Sequence, residues 1–211
     1  MWIRGCQLLI GLIMYGVGCA VMVVAGIGLD PWTVLAQGIS ERTGVGIGWV
    51  TNLIGFVVLL AWIPLRQRPG VGTVLNILMV GTALQLTLPH LPTPPNYLLG
   101  CVMFLAGIGI VGLASGLYIG ARFGPGPRDG LMTGLHQRLG WPIWVARTLV
   151  EATVLATGWL LGGTVGLGTV LFAVLIGPAC QAALRVFGRD VVRRPSRVPP
   201  PASTLREHSR G

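Results

Sequence analysis

Charged side chains are scarce in this sequence. Only 10% of its 211 residues are charged, lysine is absent, and aspartate and glutamate together number six. Soluble domains carry roughly 25% charged residues. Because 53% of the residues are hydrophobic and the mean hydropathy is +0.75, the composition excludes an ordinary soluble domain and predicts a protein embedded in the lipid bilayer.

Motifs for hydrolysis, phosphate binding and metal binding are also lacking. The sequence contains no GxSxG, HExxH or Walker loop. Its four cysteines lack CxxC spacing and lie in or beside apolar segments, where they are interpreted as packing residues. The three histidines, His90, His136 and His208, are too scattered to predict a metal site. We therefore expect no enzymatic activity, no metal ion and no cofactor.

Long uncharged intervals predict the membrane-spanning helices. A hydrocarbon core of about 30 Å is crossed by about 20 apolar residues. Such segments occupy residues 6–27, 46–65, 71–88, 97–121, 142–161 and 167–187. The proline-rich stretch 89–96 separates the third segment from the fourth, because its four prolines cannot continue a helix. The sequence therefore predicts six transmembrane helices.

The placement of arginine predicts how the chain is oriented. All fifteen basic residues are arginine, and basic residues gather in short cytoplasmic loops. With a cytoplasmic N-terminus the external loops hold only Arg42, so both termini are expected in the cytoplasm. The excess of positive charge, +9 in all, lies in these cytoplasmic loops and in the C-terminal segment 188–211. We interpret that segment as a disordered basic tail attracted to lipid headgroups, and we expect no nucleic-acid partner.

An internal repeat becomes visible when the sequence is compared with itself at an offset of 96 positions. Between residues 28 and 85, 19 of 58 positions are identical to their counterparts, and "GVGTVL" at 70–75 matches "GLGTVL" at 166–171. Residues 1–96 and 97–187 thus form two repeats of three spans each. An odd number of spans places the second repeat upside down, an arrangement common in secondary transporters. The alternative is that duplication simply builds a helical membrane protein.

Each repeat also contains a segment too short to span the bilayer. In residues 30–43, Asp30 is a candidate N-cap, Pro31 suits the first turn and Gly44 suits the C-terminal cap. In residues 126–139, Gly126 and Pro127 take the places of Asp30 and Pro31, and Gly140 takes that of Gly44. Two alternatives stay open for these short helices. They lie flat at the membrane interface, or they dip into the protein and direct free N–H groups at an anionic ligand.

One predicted span contains two charges. Arg147 and Glu151 stand four residues apart, on one helical face, and Glu151 lies about 15 Å along its span, near the bilayer midplane. Central charges are costly and often functional. The pair is either a structural ion pair or part of a ligand or proton site, and its counterparts in the first repeat, Thr51 and Gly55, are uncharged.

A family resemblance follows from these motifs. The segment "GPGPRDGLMTGL" at 124–135, followed by "VARTLVEATVLATGWLLGGTVGLGTVLFAVLIGP" at 145–178, resembles the YczE, YyaS and YitT group of bacterial integral membrane proteins, in particular its YczE-like branch. The resemblance extends over about residues 5–187. It implies a multi-pass protein of the bacterial plasma membrane, and it places the polar motif of the family at Arg128, Asp129, Arg147 and Glu151. It implies little about a substrate.

Taken together, the sequence predicts an all-α membrane protein with six transmembrane helices in two inverted three-helix repeats, each with an additional short helix. The predicted activity is secondary transport of a small polar or anionic solute, and the alternative is a non-transporting accessory protein that supports an assembly or a biosynthetic enzyme. The sequence is also compatible with a homo-oligomer. The candidate substrate or coupling residues are Asp30, Thr33, Arg128, Asp129, Arg147 and Glu151.

Overall fold

A computed structural model describes residues 2–187 of the chain. This part of the protein is helical throughout, with no β-strand among the described residues. The helices are α1 (Trp2–Ala25), α2 (Pro31–Thr43), α3 (Ile47–Leu65), α4 (Val71–Thr87), α5 (Tyr97–Gly120), α6 (Pro127–Leu139), α7 (Ile143–Leu160) and α8 (Leu167–Phe187), and a 3₁₀ turn at Leu88–His90 follows α4. The predicted tail, 188–211, lies outside the described residues.

Six of these helices are long and apolar enough to cross a membrane. They are α1, α3, α4 with its 3₁₀ turn, α5, α7 and α8. Their positions match the six segments predicted from the uncharged intervals, and the break at the proline-rich stretch is present, where Asn96 caps the start of α5. The predicted all-α class and the multi-pass character of the protein are confirmed, whereas the division into two repeats stays a prediction.

The short helices α2 and α6 have the predicted ends. The side chain of Asp30 caps α2 by accepting hydrogen bonds from the backbone N–H groups of Trp32 and Thr33, at 3.2 and 3.3 Å. Gly44 and Gly140 end the two helices with φ of 72° and 69°, a left-handed conformation that glycine adopts without a Cβ clash. Each helix has 13 residues, about 20 Å at 1.5 Å per residue.

The centre of the molecule is the contact between α1 and α5. On either side of this pair, α4 packs against α1 and α8 packs against α5. Fully buried apolar side chains fill the contacts, including Leu12, Met22, Leu84, Phe104 and Val111. Two glycines allow the helices to approach closely: a Cβ on Gly18 would press against Val111, and one on Gly107 would press against Met22.

The contacts between the halves come in equivalent pairs: each contact has a counterpart in which both residue positions are shifted by 96. Helix α2 packs against α7, and α6 packs against α3. The backbone N–H of Gly168 donates to the carbonyl of Ile27 at 2.8 Å, and that of Gly72 donates to the carbonyl of Phe123 at 2.9 Å. In both places the turn before a short helix is hydrogen-bonded to the first turn of the last span in the other half.

We call the turns that precede α2 and α6 the entry turns. Their backbone conformations are similar. Gly28 and Gly124 have φ of 126° and 124°, values that a residue with a side chain rarely adopts. The hydroxyl of Thr169 accepts a hydrogen bond from the backbone N–H of Leu29 at 3.3 Å. The hydroxyl of Thr73 donates to the carbonyl of Pro125 at 2.7 Å. Each entry turn is thus held by a threonine of the opposite half.

The halves differ in the packing of their second and third spans. Helix α3 packs along α4, whereas α7 makes no comparable contact with α8. In the first half a Cβ on Gly81 would overlap the carbonyl of Gly48 and the side-chain oxygen of Asn52. In the second half Gly177, the counterpart of Gly81, has no neighbouring atom within 4 Å of a Cβ position. The α3–α4 interface is therefore closed and the α7–α8 interface is open.

Candidate functional site

A cavity of about 220 Å³ lies between the two halves, and residues from all eight helices line it. We call it the central cavity. Its volume suits a small solute, since drug-sized ligand pockets usually start at about 300 Å³. Five of the six residues predicted from the sequence line it: Asp30, Arg128, Asp129, Arg147 and Glu151. Thr33 does not line it; that residue is buried in the first turn of α2, where its N–H is bonded to Asp30.

Asp30 and Arg128 form an ion pair across the two halves. An oxygen of Asp30 lies 3.4 Å from a guanidinium nitrogen of Arg128, and Asp30 is only 2% exposed. The guanidinium also lies 5.0 Å from the ring centroid of Trp32, within cation–π distance. Asp30 therefore makes two kinds of interaction: its Oδ1 atom caps the start of α2 and also pairs with Arg128 in the first turn of α6.

The start of α6 is fixed by α3. The indole N–H of Trp62 donates to the carbonyl of Pro127 at 3.0 Å, and the ring lies directly on Gly130, which has no side chain to obstruct it. Pro127 occupies the first turn, where its missing N–H removes no helical hydrogen bond. These contacts hold Arg128 and Asp129 at the cavity.

Asp129 faces the cavity and Tyr118. The Tyr118 hydroxyl donates to Oδ2 of Asp129 at 3.3 Å. Asp129 is exposed, and desolvation by the protein around the cavity raises the pKa of its carboxyl, while Arg147, Arg128 and the Tyr118 hydrogen bond act in the opposite direction.

Arg147 and Glu151 are paired on α7. The Nε atom of Arg147 lies 3.0 Å from Oε1 of Glu151, so the predicted contact one turn apart on the same face is confirmed. Their side chains are 54% and 32% exposed, and both line the cavity. A pair within one helix does not link that helix to a neighbour, so it does not set the register of α7 against another helix.

Corresponding positions of the two halves line the cavity together. Seven lining pairs are 96 residues apart: Asp30 and Gly126, Pro31 and Pro127, Trp32 and Arg128, Thr51 and Arg147, Gly55 and Glu151, Asn76 and Phe172, and Val80 and Ile176. Their chemistry is unequal, because four of the five charged lining residues belong to the second half. Both halves thus contribute residues to the wall of the cavity, but most of the charged side chains come from the second half.

Sequence reasoning missed the aromatic part of the site. Tyr15, Trp32 and Tyr118 are not among the candidate residues predicted from the sequence, yet all three line the cavity. The two tyrosine rings meet edge to face with centroids 6.2 Å apart. The one signal available was that a tyrosine in an apolar span needs a partner for its hydroxyl. For Tyr118 that partner is Asp129.

The residues that could hold a metal ion are dispersed. In the described part of the chain, no group of three or more histidine, cysteine, aspartate or glutamate side chains is placed to bind one. The arginines of the cavity instead suit a carboxylate or phosphate, and its carboxylates suit a proton or an ammonium group.

Comparisons with known proteins identify relatives of this chain. The sequence profile described as "Family of unknown function (DUF6198)" matches residues 2–185. An uncharacterised protein of Haemophilus influenzae is 45% identical over 183 residues, which is 86% of this chain and 84% of the relative. The uncharacterised membrane protein YczE of Bacillus subtilis is 29% identical over 169 residues, 79% of each chain.

A second Bacillus subtilis protein, the uncharacterised protein YyaS, is 25% identical over 189 residues, which is 88% of this chain and 94% of the relative. No solved structure matches the chain. The matches to YczE and YyaS confirm the resemblance predicted from the PRDGL segment and the Arg147–Glu151 motif. The chain therefore belongs to the family described as DUF6198, as a membrane protein of the YczE and YyaS type.

Proposed function

We propose that the protein is a secondary transporter of a small polar or anionic solute in the bacterial plasma membrane. The observation that carries this proposal is the central cavity, which lies between the halves and holds five charged side chains. Charges inside a membrane protein are costly and commonly mark a substrate or ion pathway. The charged cavity therefore favours transport over a purely structural accessory role.

The two halves, in this proposal, form an inverted repeat. Three spans in each half place corresponding helices on opposite sides, and the entry-turn hydrogen bonds at positions 96 apart support an equivalence of the halves. Seven corresponding pairs of lining residues support a binding site on the axis that relates them. Such repeats let two halves exchange the roles of inner and outer gate.

The unequal packing of the second and third spans supports alternating access. Helices α3 and α4 are closed around Gly48 and Gly81, whereas Gly177 between α7 and α8 has free space. We infer that this is one of two states, and that α7 closes on α8 when α3 separates from α4. Gly177, the counterpart of Gly81, leaves room on α8 for α7 to approach.

The short helices are, in this proposal, re-entrant. The N-cap Asp30 and residues near the start of α2, including Val34 and Ala36, are buried, whereas its last turn around Glu41 is exposed. A helix lying flat at the interface would expose one face along its whole length. Burial that decreases from the first turn to the last supports a helix that begins inside the protein and ends at the membrane surface.

The orientation of the chain gives a test of the inverted repeat. Thr43 and Leu139 end α2 and α6, are exposed, and are corresponding positions. Each is replaced singly by cysteine in a background without native thiols. We expect an impermeant maleimide added to intact cells to label the cysteine at position 43. The cysteine at position 139 should be labelled only after the membrane is permeabilised. Equal labelling of both from outside would contradict the inverted repeat.

Flux in proteoliposomes tests transport itself. The solute is first sought by comparing metabolites of cells with and without the gene, and radiolabelled candidates are then tested with the purified full chain. We expect saturable uptake by the wild-type protein. The double variant Arg147→Met with Glu151→Gln should fold nearly normally, because losing both charges removes both desolvation costs, yet lose uptake.

The control is Glu41→Gln, which removes a carboxylate from an exposed position outside the cavity. It should transport like the wild type. Wild-type flux in the double variant would show that the pair on α7 is structural. Absence of flux for every solute whose cellular level depends on the gene would favour the accessory role.

A further inference from the structure

The charged side chains of the central cavity do not satisfy one another completely. Asp30 is paired with Arg128 and Glu151 with Arg147, at 3.4 and 3.0 Å. Asp129 forms no ion pair with any described residue. Because two arginines and three carboxylates line the cavity, its net charge is −1 when all five groups are ionised.

Arg147 has hydrogen-bonding capacity left for a ligand. Its Nε atom donates to Glu151, whereas its two terminal nitrogens donate to no described residue. Its side chain is 54% exposed and lines the cavity. The planar guanidinium group can bind a carboxylate through two parallel hydrogen bonds. Arg147 can therefore accept the carboxylate of a solute while it stays close to Glu151.

Asp129 offers the opposite charge to the same cavity. It is exposed, and only its Oδ2 atom has a hydrogen-bonding partner among the described residues, the Tyr118 hydroxyl. Gly126 leaves space beside this cluster, because a Cβ there would lie 3.3 Å from both Oδ2 of Asp129 and the Tyr118 oxygen. An ammonium group has three N–H donors and no acceptor. Oδ1 of Asp129 and the Tyr118 oxygen are acceptors that such a group can use.

Arg147 and Asp129 lie near each other without forming an ion pair. Helices α6 and α7 pack together, yet in the described part of the chain no contact at ion-pair distance joins these two side chains. Desolvation raises the pKa of the Asp129 carboxyl, and of the two arginines that lower it Arg147 acts more strongly than Arg128. The two groups are thus separated by a gap that a small molecule with both charges can bridge.

We propose that the central cavity binds a small zwitterion, with its carboxylate on Arg147 and its ammonium group on Asp129. This assignment names the solute class of the proposed transport function and rests on that function. A zwitterion forms two ion pairs and leaves the net charge of the cavity unchanged. A simple anion would add to the surplus negative charge, and a simple cation would leave the terminal nitrogens of Arg147 without a partner. The volume of about 220 Å³ restricts the solute to the size of a small amino acid.

Thermal unfolding of the purified full-length protein with added ligands tests the proposal, because a ligand that binds only the folded state raises the unfolding midpoint. The probes are glycine, alanine, serine, β-alanine and 4-aminobutyrate, which differ in size and in the distance between their two charges. Propionate and propylammonium, at the same concentration and ionic strength, each carry one charge alone. We expect at least one zwitterion to raise the midpoint and both single-charge probes to leave it unchanged. No response to any zwitterion, or an equal response to a single-charge probe, would overturn the proposal.

Two variants should change the charge preference in opposite directions. Asp129→Asn removes the partner of the ammonium group and the surplus negative charge, so zwitterion binding should weaken roughly tenfold or more and propionate should begin to bind. The double variant Arg147→Met with Glu151→Gln removes the partner of the carboxylate, so it should lose the zwitterion and bind propylammonium. The control Glu41→Gln, outside the cavity, should respond like the wild type. Loss of zwitterion binding in both variants without these opposite preferences would indicate a structural effect and overturn the proposal.

The test stays decisive if Asp129→Asn does not fold. The comparison of zwitterions with single-charge probes needs only the wild-type protein, and the double variant by itself should still prefer propylammonium. Binding is measured without flux. A protein that binds a zwitterion but transports none would therefore contradict the proposed function and not this site. Uptake of propionate, but of no zwitterion, by proteoliposomes would support transport and overturn this inference.

Discussion

Replacing Asp30 with alanine should destabilise the protein more than removing any other single charge of the cavity. The substitution leaves Arg128 unpaired, and breaking a buried ion pair from one side costs about 3–5 kcal/mol. We expect about 3 kcal/mol, the lower end, because the Arg128 side chain is 27% exposed. Loss of the α2 cap adds about 1 kcal/mol. The midpoint of thermal unfolding in detergent measures the sum.

Two further variants separate these contributions. Asp30→Asn keeps an oxygen that can cap α2 but removes the charge, so it should be more stable than Asp30→Ala and less stable than the wild type. Adding Arg128→Met to Asp30→Asn removes the orphaned cation and should restore part of the loss. The ion pair would be energetically unimportant if all three variants unfolded at the wild-type temperature.

Replacing Gly130 with alanine should also have a large effect. The new Cβ would overlap the ring of Trp62, which is buried and hydrogen-bonded to Pro127 and so cannot easily move aside. Overpacking of this kind costs about 1–3 kcal/mol, and sometimes more. The start of α6 should shift with Arg128 and Asp129, so the ion pair to Asp30 should weaken as well. We expect a lower unfolding temperature and a smaller yield of monodisperse protein.

The matched control is Gly109→Ala on α5. A Cβ at position 109 meets no atom within 4 Å, so this glycine can become alanine without a clash, and stability should be unchanged or slightly higher. Trp62→Ala creates room beside Gly130, so the two substitutions together should cost less than their sum. Additive losses would show that Trp62 does not cause the effect of Gly130→Ala.

The corresponding contact between α2 and α7 shows why the Trp62–Gly130 contact is specific to α6. Position 34 in α2 corresponds to 130, and position 158 in α7 corresponds to 62. In that pair the sizes are exchanged: Val34 is the larger residue, and Gly158 lies against its backbone. Both interfaces thus combine one large and one small residue, but the large residue comes from a spanning helix in one interface and from a short helix in the other.

Features that depend on residues near one another along the chain were readable from the sequence. The six spans followed from the length and polarity of each segment, and these decide by themselves whether a helix can cross a bilayer. The caps at Asp30, Gly44 and Gly140 were correct because capping involves bonds only a few residues apart. The Arg147–Glu151 contact follows from the helical repeat alone.

Partners far apart along the chain were decided only by the tertiary structure. Asp30 and Arg128 are 98 residues apart, and their approach depends on how α2 and α6 are inserted among the spans. The same insertion turns Thr33 away from the cavity and leaves Asp129, its counterpart, facing Tyr118. The closed α3–α4 and open α7–α8 interfaces are likewise invisible to a self-comparison of the sequence. A repeat predicts equivalent helices, but the packing of each depends on side chains that the two halves do not share.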